Sequence, residues 1–475
     1  MKYSFLPIAT LLMIMAGCRS QTGQQEKQAV NDSFKQAAEI DSYIQQYLDL
    51  DIFSGVVLVA ENGVPVYEKA FGLADREKAI PNTLDTKFII GSMNKSFTQL
   101  AILQLIEEGK LNWEDKMVGF LDGFTLPGTD KITIRHLVSH TSGFGDYHSR
   151  EFLDLPFEQK NIDTITRIAQ GMELLFPPGE GDEYSNTGYV LLGAIIEKIT
   201  GESYADNIQS RIVDRLGLEN TYVKNVKSIP DRSVGYLQTL GGIEDNLYFL
   251  MEPKPDGGFW ATAEDVMAFY LNFFYGDKLI SQQSRESDDF FRQIQPFYDQ
   301  PGRGIPIAGG SNGNNSVHLE MLNEHVSIVV LANMDEPVAE KISLGIMKIL
   351  KGATPEPPSL PAMLSVFQAY SEHGAEYVKE NFEELTKNFH PSDPKDLILN
   401  NIGYYLLSKN EIDQALDIFR LNTELFPDIA NCWDSYGEVL LNKGDKAGAL
   451  AAYKKALSIR PDLPSAKQAV KMLEE

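Results

Sequence analysis

The chain has 475 residues, of which 42 are Lys or Arg and 67 are Asp or Glu, so its formal net charge is −25. A hydrophobic content of 43% excludes a wholly disordered chain. The acidic balance argues against a nucleic-acid partner, because phosphate binding needs a basic face. The only two cysteines, Cys18 and Cys432, exclude a disulfide framework and a thiolate-rich metal site, and we expect no metal and no organic cofactor.

Residues 1–18 have the pattern of an export signal. Lys2 gives a positive start, and the apolar stretch that follows is too short to span a bilayer comfortably. It ends in Met-Ala-Gly-Cys18, which resembles a bacterial lipobox and implies cleavage before Cys18 with lipid on its sulfur. The alternative is an ordinary signal peptide in which Cys18 is incidental. Residues 19–36 are polar and predict a flexible tether.

These features predict a lipid-anchored protein of the bacterial cell envelope, in the outer membrane or facing the periplasm. Cys432 is then expected to stay unpaired. Further along the chain, residues 352–361 contain four prolines and predict a linker, since proline continues neither a helix nor a central strand. The linker separates a large block, 37–351, from a smaller one, 362–475.

The large block mixes strands and helices. Its start predicts a hairpin, with strands at Gly55–Ala60 and Val64–Gly72 around Asn62-Gly63. Two largely apolar segments predict buried helices, Met93–Glu108 and Tyr189–Thr200. Val326–Ala332 predicts a last buried strand. Strands at both ends of the block, with helices between, predict one sheet whose terminal strands meet.

The small block repeats with a period of 34 residues. Aligning 396–429 with 430–463 places Gly403 on Gly437, Ala415 on Ala449 and Phe419 on Tyr453. Six such matches resemble the tetratricopeptide pattern, in which small residues sit where two helices pack tightly. Residues 362–395 match the pattern weakly and are interpreted as a degenerate unit. The helix pairs predict a groove that binds a protein partner.

A possible nucleophile opens the first buried helix. Ser92 is followed one turn later by Lys95, on the same face. A serine hydroxyl needs a nearby base, and a lysine with a lowered pKa can serve, while the helix N-terminus stabilises negative charge. Taken alone, the pattern is better explained by an N-capping serine and a surface lysine, because it recurs by chance in long chains.

A second motif precedes the next buried helix. Tyr184-Ser185-Asn186 places a phenol and an amide on one loop. The phenol can share the proton of Ser92 with Lys95, and the amide of Asn186 can hold Lys95 or a substrate carbonyl. By itself, Tyr184 is also compatible with a partly buried tyrosine whose hydroxyl is satisfied.

Together these motifs resemble the serine β-lactamase and penicillin-binding-protein superfamily, in particular its class C-like and esterase-like branch. The resemblance covers roughly residues 37–350, and includes segments 134–143, 189–197 and 257–265. It implies an α+β fold, an antiparallel sheet flanked by helices with an all-helical subdomain, followed here by the all-α repeats. Within 134–143, the family's histidine is structural, so we expect His140 to lock a turn.

The third motif of the superfamily, Lys-Thr-Gly or His-x-Gly, is incomplete. Its best match is Ala308-Gly309-Gly310, with Ala308 at the Lys or His position. By resemblance, the backbone N–H groups of Ser92 and Ser311 would form the oxyanion hole, with the glycines allowing close approach. The missing side chain is the one that contacts a substrate carboxylate, so β-lactam hydrolysis is expected less than hydrolysis of a simpler ester or amide.

Two hypotheses follow. The first is a serine hydrolase that acts on a small-molecule or peptide substrate through an acyl-enzyme at Ser92, with Lys95 and Tyr184 as catalytic residues and Asn186, Gly309, Gly310 and Ser311 at the substrate and oxyanion site. The second is a membrane-tethered protein that binds a peptide or glycan without cleaving it and captures a partner through the repeats.

Overall fold

A computed structural model describes residues 34–335, 337–387 and 395–475. The predicted signal peptide with Cys18, most of the predicted tether 19–36 and part of the weak unit 362–395 lie outside the described residues. The chain divides into two compact units. One comprises the residues up to Gln238 and Glu244–Pro357, and the other comprises Thr239–Ile243 and Pro358–Glu475.

The first unit is built on a five-stranded antiparallel sheet with strand order β2-β1-β11-β10-β9. Its strands are β1 (Gly55–Glu61), β2 (Val64–Phe71), β9 (Gly304–Ser311), β10 (Asn314–Met321) and β11 (Val326–Ala332). β1 pairs with β11 from Gly55 opposite Ala332 to Glu61 opposite Val326. The prediction that the terminal strands meet is therefore confirmed, and both strands are buried on two faces, as their largely apolar sequences indicate.

Shorter strands form three two-stranded pairs: β3 (Leu73–Asp75) with β4 (Ile80–Pro81), β5 (Phe88–Ile89) with β8 (Trp260–Ala261), and β6 (Tyr236–Thr239) with β7 (Gly242–Asp245). The α-helices of this unit are α1 (Ala37–Asp49), α2 (Lys95–Glu107), α3 (Ile134–Val138), α4 (Arg150–Leu153), α5 (Ile162–Gln170), α6 (Asn186–Thr200), α7 (Tyr204–Ile208), α8 (Asp214–Leu216), α9 (Ala263–Phe274), α10 (Gln282–Ser287), α11 (Asp289–Ile294) and α12 (Val338–Leu350).

The two predicted buried helices lie at the centre of the unit. α2 is buried along nearly its whole length, and it starts at Lys95 because a 3-10 turn, Gly91–Asn94, precedes it. α6 starts three residues before the predicted Tyr189, since the Ser185 side chain accepts a hydrogen bond from the Gly188 N–H and caps the helix. Gly201, at φ 74°, ends α6.

The second unit is a series of antiparallel helices. They are α13 (Ala362–Leu385), α14 (Asp396–Ser408), α15 (Ile412–Leu425), α16 (Ala430–Asn442), α17 (Lys446–Ile459) and α18 (Pro464–Glu474). α13 is broken at Gly374, whose φ of 81° is not helical, so it contributes two helical segments. The segment interpreted as a degenerate unit thus contains two helical segments in its described part.

Repeat positions predicted to be small are places of close helix contact. A Cβ added to Gly403 would lie 2.5 Å from Cζ of Phe419, and one added to Gly437 would lie 3.1 Å from Cδ1 of Tyr453. The two contacts are equivalent at a spacing of 34 residues, which confirms the tetratricopeptide interpretation. Among the helices of the described residues, none combines the length and apolar character needed to cross a bilayer.

We expect Gly193→Ala to destabilise the first unit. A Cβ at Gly193, in α6, would lie 2.1 Å from Cγ of Pro255. Overpacking of this kind should lower the free energy of unfolding by about 1–3 kcal/mol in a denaturant titration.

Gly188→Ala is the matched control in the same helix, because no atom lies nearer than 3.5 Å to its added Cβ. Alanine should stabilise that position by about 0.5–1 kcal/mol. Equal losses in both variants would contradict the explanation from close approach to Pro255.

Candidate active site

Ser92 lies in the 3-10 turn between β5 and α2. Its neighbours Gly91, Met93 and Asn94 are buried, whereas Ser92 is partly exposed. Gly91 has a φ of 51°, and a Cβ there would lie 2.5 Å from the Gly310 nitrogen. Only glycine permits this conformation so close to β9. The turn therefore presents the Ser92 hydroxyl beside the edge of the sheet.

Lys95, the first residue of α2, is 7% exposed, and its ammonium lies among three oxygen atoms. Nζ is 3.0 Å from Ser92 Oγ, 2.7 Å from Asn186 Oδ1 and 2.5 Å from the backbone oxygen of Asp256. Burial lowers the pKa of Lys95 to about 8, although the charges of Asp256 and Asp146 oppose the shift. The structure thus places a lysine of reduced basicity against the serine.

Tyr184 approaches the same hydroxyl from the loop before α6. Its Oη donates a hydrogen bond to Ser92 Oγ at 2.7 Å, and the Lys95 ammonium lies 4.8 Å from the centre of its ring. The Tyr184 side chain is 50% exposed, so a substrate or water can reach the hydroxyl group. Ser92, Lys95 and Tyr184 are therefore brought together as the sequence motifs predict.

His140 supports the tyrosine loop. It adopts φ 58°, its ring stacks on that of Tyr184 at 4.7 Å, and its Nδ1 accepts a hydrogen bond from the Ser185 N–H. Burial, followed by the charge of Lys95, lowers the pKa of His140 to about 4. The imidazole is neutral at ordinary pH, and its contacts position Tyr184.

Asp146 orients Asn186, although no sequence motif points to this residue. The Asn186 amide donates to Asp146 Oδ2 at 2.6 Å, which turns its Oδ1 toward Lys95. Burial acts to raise the pKa of Asp146, but hydrogen bonds from His148 and Asn186 lower it to about 2. The only available signal was its place three residues after Gly143, at the end of a segment already noted.

The loop before β8 supplies the third oxygen around Lys95. The Asp256 carboxylate accepts a hydrogen bond from the Tyr147 hydroxyl at 2.7 Å, while its backbone oxygen faces Lys95. Asn94 fixes the same loop, because its Nδ2 donates to the Lys254 oxygen at 2.9 Å. The family resemblance seen in the sequence includes this segment only from Gly257 onward.

The side chains of β9 show that the assignment of Ala308 was wrong by one residue. A Cβ on Gly309 would lie 2.1 Å from the Ile90 oxygen and 2.7 Å from the Ser92 nitrogen, so this face of β9 is turned to the nucleophile. Ile307 shares that face by strand alternation and packs on the core, whereas Ala308 is exposed on the other face. Ile307 therefore occupies the family's Lys or His position, which is still uncharged.

The register of β9 also favours Gly310 over Ser311 as the second oxyanion donor. Ser311 pairs with Asn314 across a two-residue turn, and such flanking residues exchange both backbone hydrogen bonds. The Ser311 N–H therefore points to β10, and the Gly310 N–H points to the free edge beside Ser92. Backbone N–H groups alternate between the two edges of a strand, so position 306 faces the same edge as Gly310. Pro306 has no N–H group, which is tolerated only where no neighbouring strand needs it.

A serine held by a buried lysine and a tyrosine beside an antiparallel sheet is the arrangement expected of a serine acyl-transfer enzyme. A family model described as Beta-lactamase matches residues 40–340, and one described as Tetratricopeptide repeat matches residues 430–463. The chain therefore belongs to the β-lactamase family, within the superfamily of serine hydrolases that includes penicillin-binding proteins.

Individual relatives agree with this family. The chain is 31% identical over 344 residues to penicillin-binding protein 4* of Bacillus subtilis (strain 168), covering 65% of this chain and 75% of that protein. It is also 31% identical over 338 residues to protein flp of Staphylococcus aureus (strain MW2). This alignment covers 66% of this chain and 65% of flp. The octameric penicillin-binding protein homologue from Pyrococcus abyssi shares the fold, with a TM-score of 0.60, 24% identity, and coverage of 71% of this chain and 82% of that one.

We expect Asp146→Asn to lower the pKa of Lys95 below its value of about 8, because the charge of Asp146 raises that pKa. The ammonium should then lose its proton at lower pH. The measurement is an NMR titration of protein labelled at lysine Cε, with the Lys95 signal assigned through Lys95→Arg.

Asp154→Asn is the control, since Asp154 is exposed and pairs with Arg150. Its titration of Lys95 should match that of the parent protein. A Lys95 pKa that is unchanged or higher in Asp146→Asn would show that Asp146 does not act on the lysine.

Proposed function

We propose that the chain is a serine hydrolase that forms an acyl-enzyme at Ser92 with a carboxylic ester or amide. The observation that carries the proposal is the convergence of Lys95 Nζ, at 3.0 Å, and Tyr184 Oη, at 2.7 Å, on the Ser92 hydroxyl. A serine is activated by an adjacent base, and a lysine with a pKa of about 8 has a useful neutral fraction near neutral pH.

In the proposed reaction, Ser92 Oγ attacks the carbonyl carbon while its proton passes to Lys95, with Tyr184 as the relay. The tetrahedral oxyanion is held by the N–H groups of Ser92 and Gly310. As the carbonyl re-forms, the bond to the leaving group breaks, and Tyr184 returns the proton to the leaving oxygen or nitrogen. A water then attacks the carbonyl carbon of the acyl-enzyme ester and gives its proton to Lys95 through Tyr184. Return of a proton to Ser92 Oγ restores the serine and releases the carboxylic acid.

The uncharged side chain of Ile307 supports a substrate other than a β-lactam. A penicillin carries a carboxylate close to its scissile amide, and β9 offers it no cation at the position where the family has Lys or His. An ester or amide without a carboxylate at that position loses nothing there. The proposal therefore favours esterase or amidase chemistry over penicillin hydrolysis.

The test is the intact mass of residues 19–475 after reaction with a fluorophosphonate and, separately, with a penicillin. We expect a fluorophosphonate adduct that is absent in Ser92→Ala, and a penicillin adduct that forms far more slowly or not at all. The two proteins should have the same circular dichroism spectrum, because a hydroxyl group alone is removed.

Each other outcome is informative. Adducts with both reagents would contradict the proposed preference against β-lactams. No adduct with either, on folded protein, would overturn the hydrolase proposal and favour the second hypothesis, in which the domain binds a peptide or glycan without cleaving it.

We also propose that the repeats bind a protein partner. Support comes from the tetratricopeptide match at residues 430–463, since such repeats serve as interaction modules that accept a helix or an extended peptide in their groove.

Anchoring in the bacterial cell envelope through Cys18 remains a proposal supported by the sequence of residues 1–18. The full-length protein expressed in a bacterium should enter the detergent phase in a phase-separation assay, whereas Cys18→Ser should stay in the aqueous phase. Recovery of both proteins in the aqueous phase would contradict lipid anchoring.

A further inference from the structure

The cavity beside Ser92 has a second wall, formed by β5, β8 and the loop before β8, whose basic side chains the proposed reaction does not use. Arg232 lines this wall. Its guanidinium lies 5.4 Å from the ring of Trp260, and its Nη1 donates to the Val226 oxygen at 3.2 Å. Among the described residues it makes no ion pair with a carboxylate, so most of its donors are open to a ligand.

Lys254 is a second basic residue on the same cavity, and it also lines a neighbouring pocket with Lys160 and Glu197. It is only 5% exposed, and the hydrogen-bond partner of its ammonium among the described residues is the Met251 sulfur, at 3.9 Å. Burial lowers the pKa of Lys254; Asp256 and Glu252 act to raise it, and Lys160 acts to lower it. A buried ammonium without an ion pair is costly to fold and is the feature expected of a ligand site.

The carboxylates on this cavity have other partners. Asp256 accepts the hydrogen bond from the Tyr147 hydroxyl, and Glu252 accepts one from the Val226 N–H at 3.3 Å. Neither forms an ion pair with Arg232 or Lys254 within the described part of the chain. Arg232 and Lys254 thus both line the cavity, and neither has an ion-pair partner among the described residues, although the charges of Asp256 and Glu252 act on Lys254.

The wall lies within reach of the nucleophile. Ile89 of β5 pairs with Trp260, over which Arg232 lies, and Ser92 is three residues further along the chain. Ser92 and Arg232 also line the same cavity. A substrate bound covalently at Ser92 can therefore extend a group along this cavity toward Arg232.

We propose that Arg232 and Lys254 form a carboxylate-binding subsite, so that the substrate is an ester or amide with a carboxylate several bonds from the scissile carbonyl. This inference rests on the proposed hydrolase function. The subsite would bind a carboxylate through residues outside β9, where Ile307 replaces the family's cation. Guanidinium and ammonium groups bind carboxylates through short charged hydrogen bonds.

The test compares 4-nitrophenyl esters of glutaric and adipic acid, which carry a free terminal carboxylate, with uncharged 4-nitrophenyl esters of the same chain length. Rates are corrected with Ser92→Ala. We expect the ratio of kcat/KM, charged over uncharged, to exceed about 10 in the parent protein and to fall about tenfold or more in Arg232→Ala.

Further variants separate charge recognition from a structural role. Lys254→Met should also lower the ratio, and Arg232→Lys should retain part of it because the positive charge remains. Arg150→Ala is the matched control, an exposed arginine paired with Asp154, and should leave the ratio unchanged. A parent ratio near one, or an equal ratio in the parent and Arg232→Ala, would overturn the proposal.

A binding measurement distinguishes failure of the subsite from failure of the hydrolase proposal. Calorimetry with monomethyl adipate on Ser92→Ala needs no turnover. Binding that is lost in the Ser92→Ala, Arg232→Ala double variant supports the subsite even if no ester is hydrolysed. Binding that is absent, or equal in both variants, overturns the subsite even if esters are hydrolysed.

Discussion

The site depends on holding the ammonium of Lys95 out of water and within hydrogen-bond distance of Ser92. Burial alone would make such a charge prohibitively costly, so the fold supplies oxygen atoms from Asn186 and Asp256. Three segments distant in sequence must meet for this to happen: the turn before α2, the start of α6 and the loop before β8. The lowered basicity of the lysine follows from that enclosure.

Glycines allow these segments to pack together, because a residue without a side chain lets one backbone approach another closely. Gly91 and Gly309 bring the turn of Ser92 against β9, and Gly193 lets α6 pack on Pro255 in the loop that faces Lys95. The same close approach brings the backbone nitrogens of Ser92 and Gly310 to the contact between the turn and β9. The proposed oxyanion hole is thus a consequence of how the sheet edge packs on the turn.

Much of the fold was predictable, because the largely apolar sequences of β1, β11 and α2 indicate buried elements. The face of β9 that is turned to Ser92 was not predictable. Alternation shows that every second residue shares a face, but only the contact of Gly309 with the turn of Ser92 reveals which set faces the nucleophile. The sequence alone therefore pointed to Ala308 instead of Ile307. Asp146 and Arg232 were missed for another reason. The part of Asp146 in the site depends on Asn186, which is distant in sequence. The proposed part of Arg232 depends on its having no carboxylate partner among the described residues, which only the structure reveals.

The most direct test of the account is the pH dependence of covalent labelling of Ser92 by a fluorophosphonate, from about pH 6 to about pH 10. If neutral Lys95 is the base, the labelling rate rises with a midpoint at a pH of about 8, the pKa of the buried amine. Lys95→Arg should remove the rise, because arginine stays protonated throughout. A rate independent of pH, or a rise that persists in Lys95→Arg, would contradict the account.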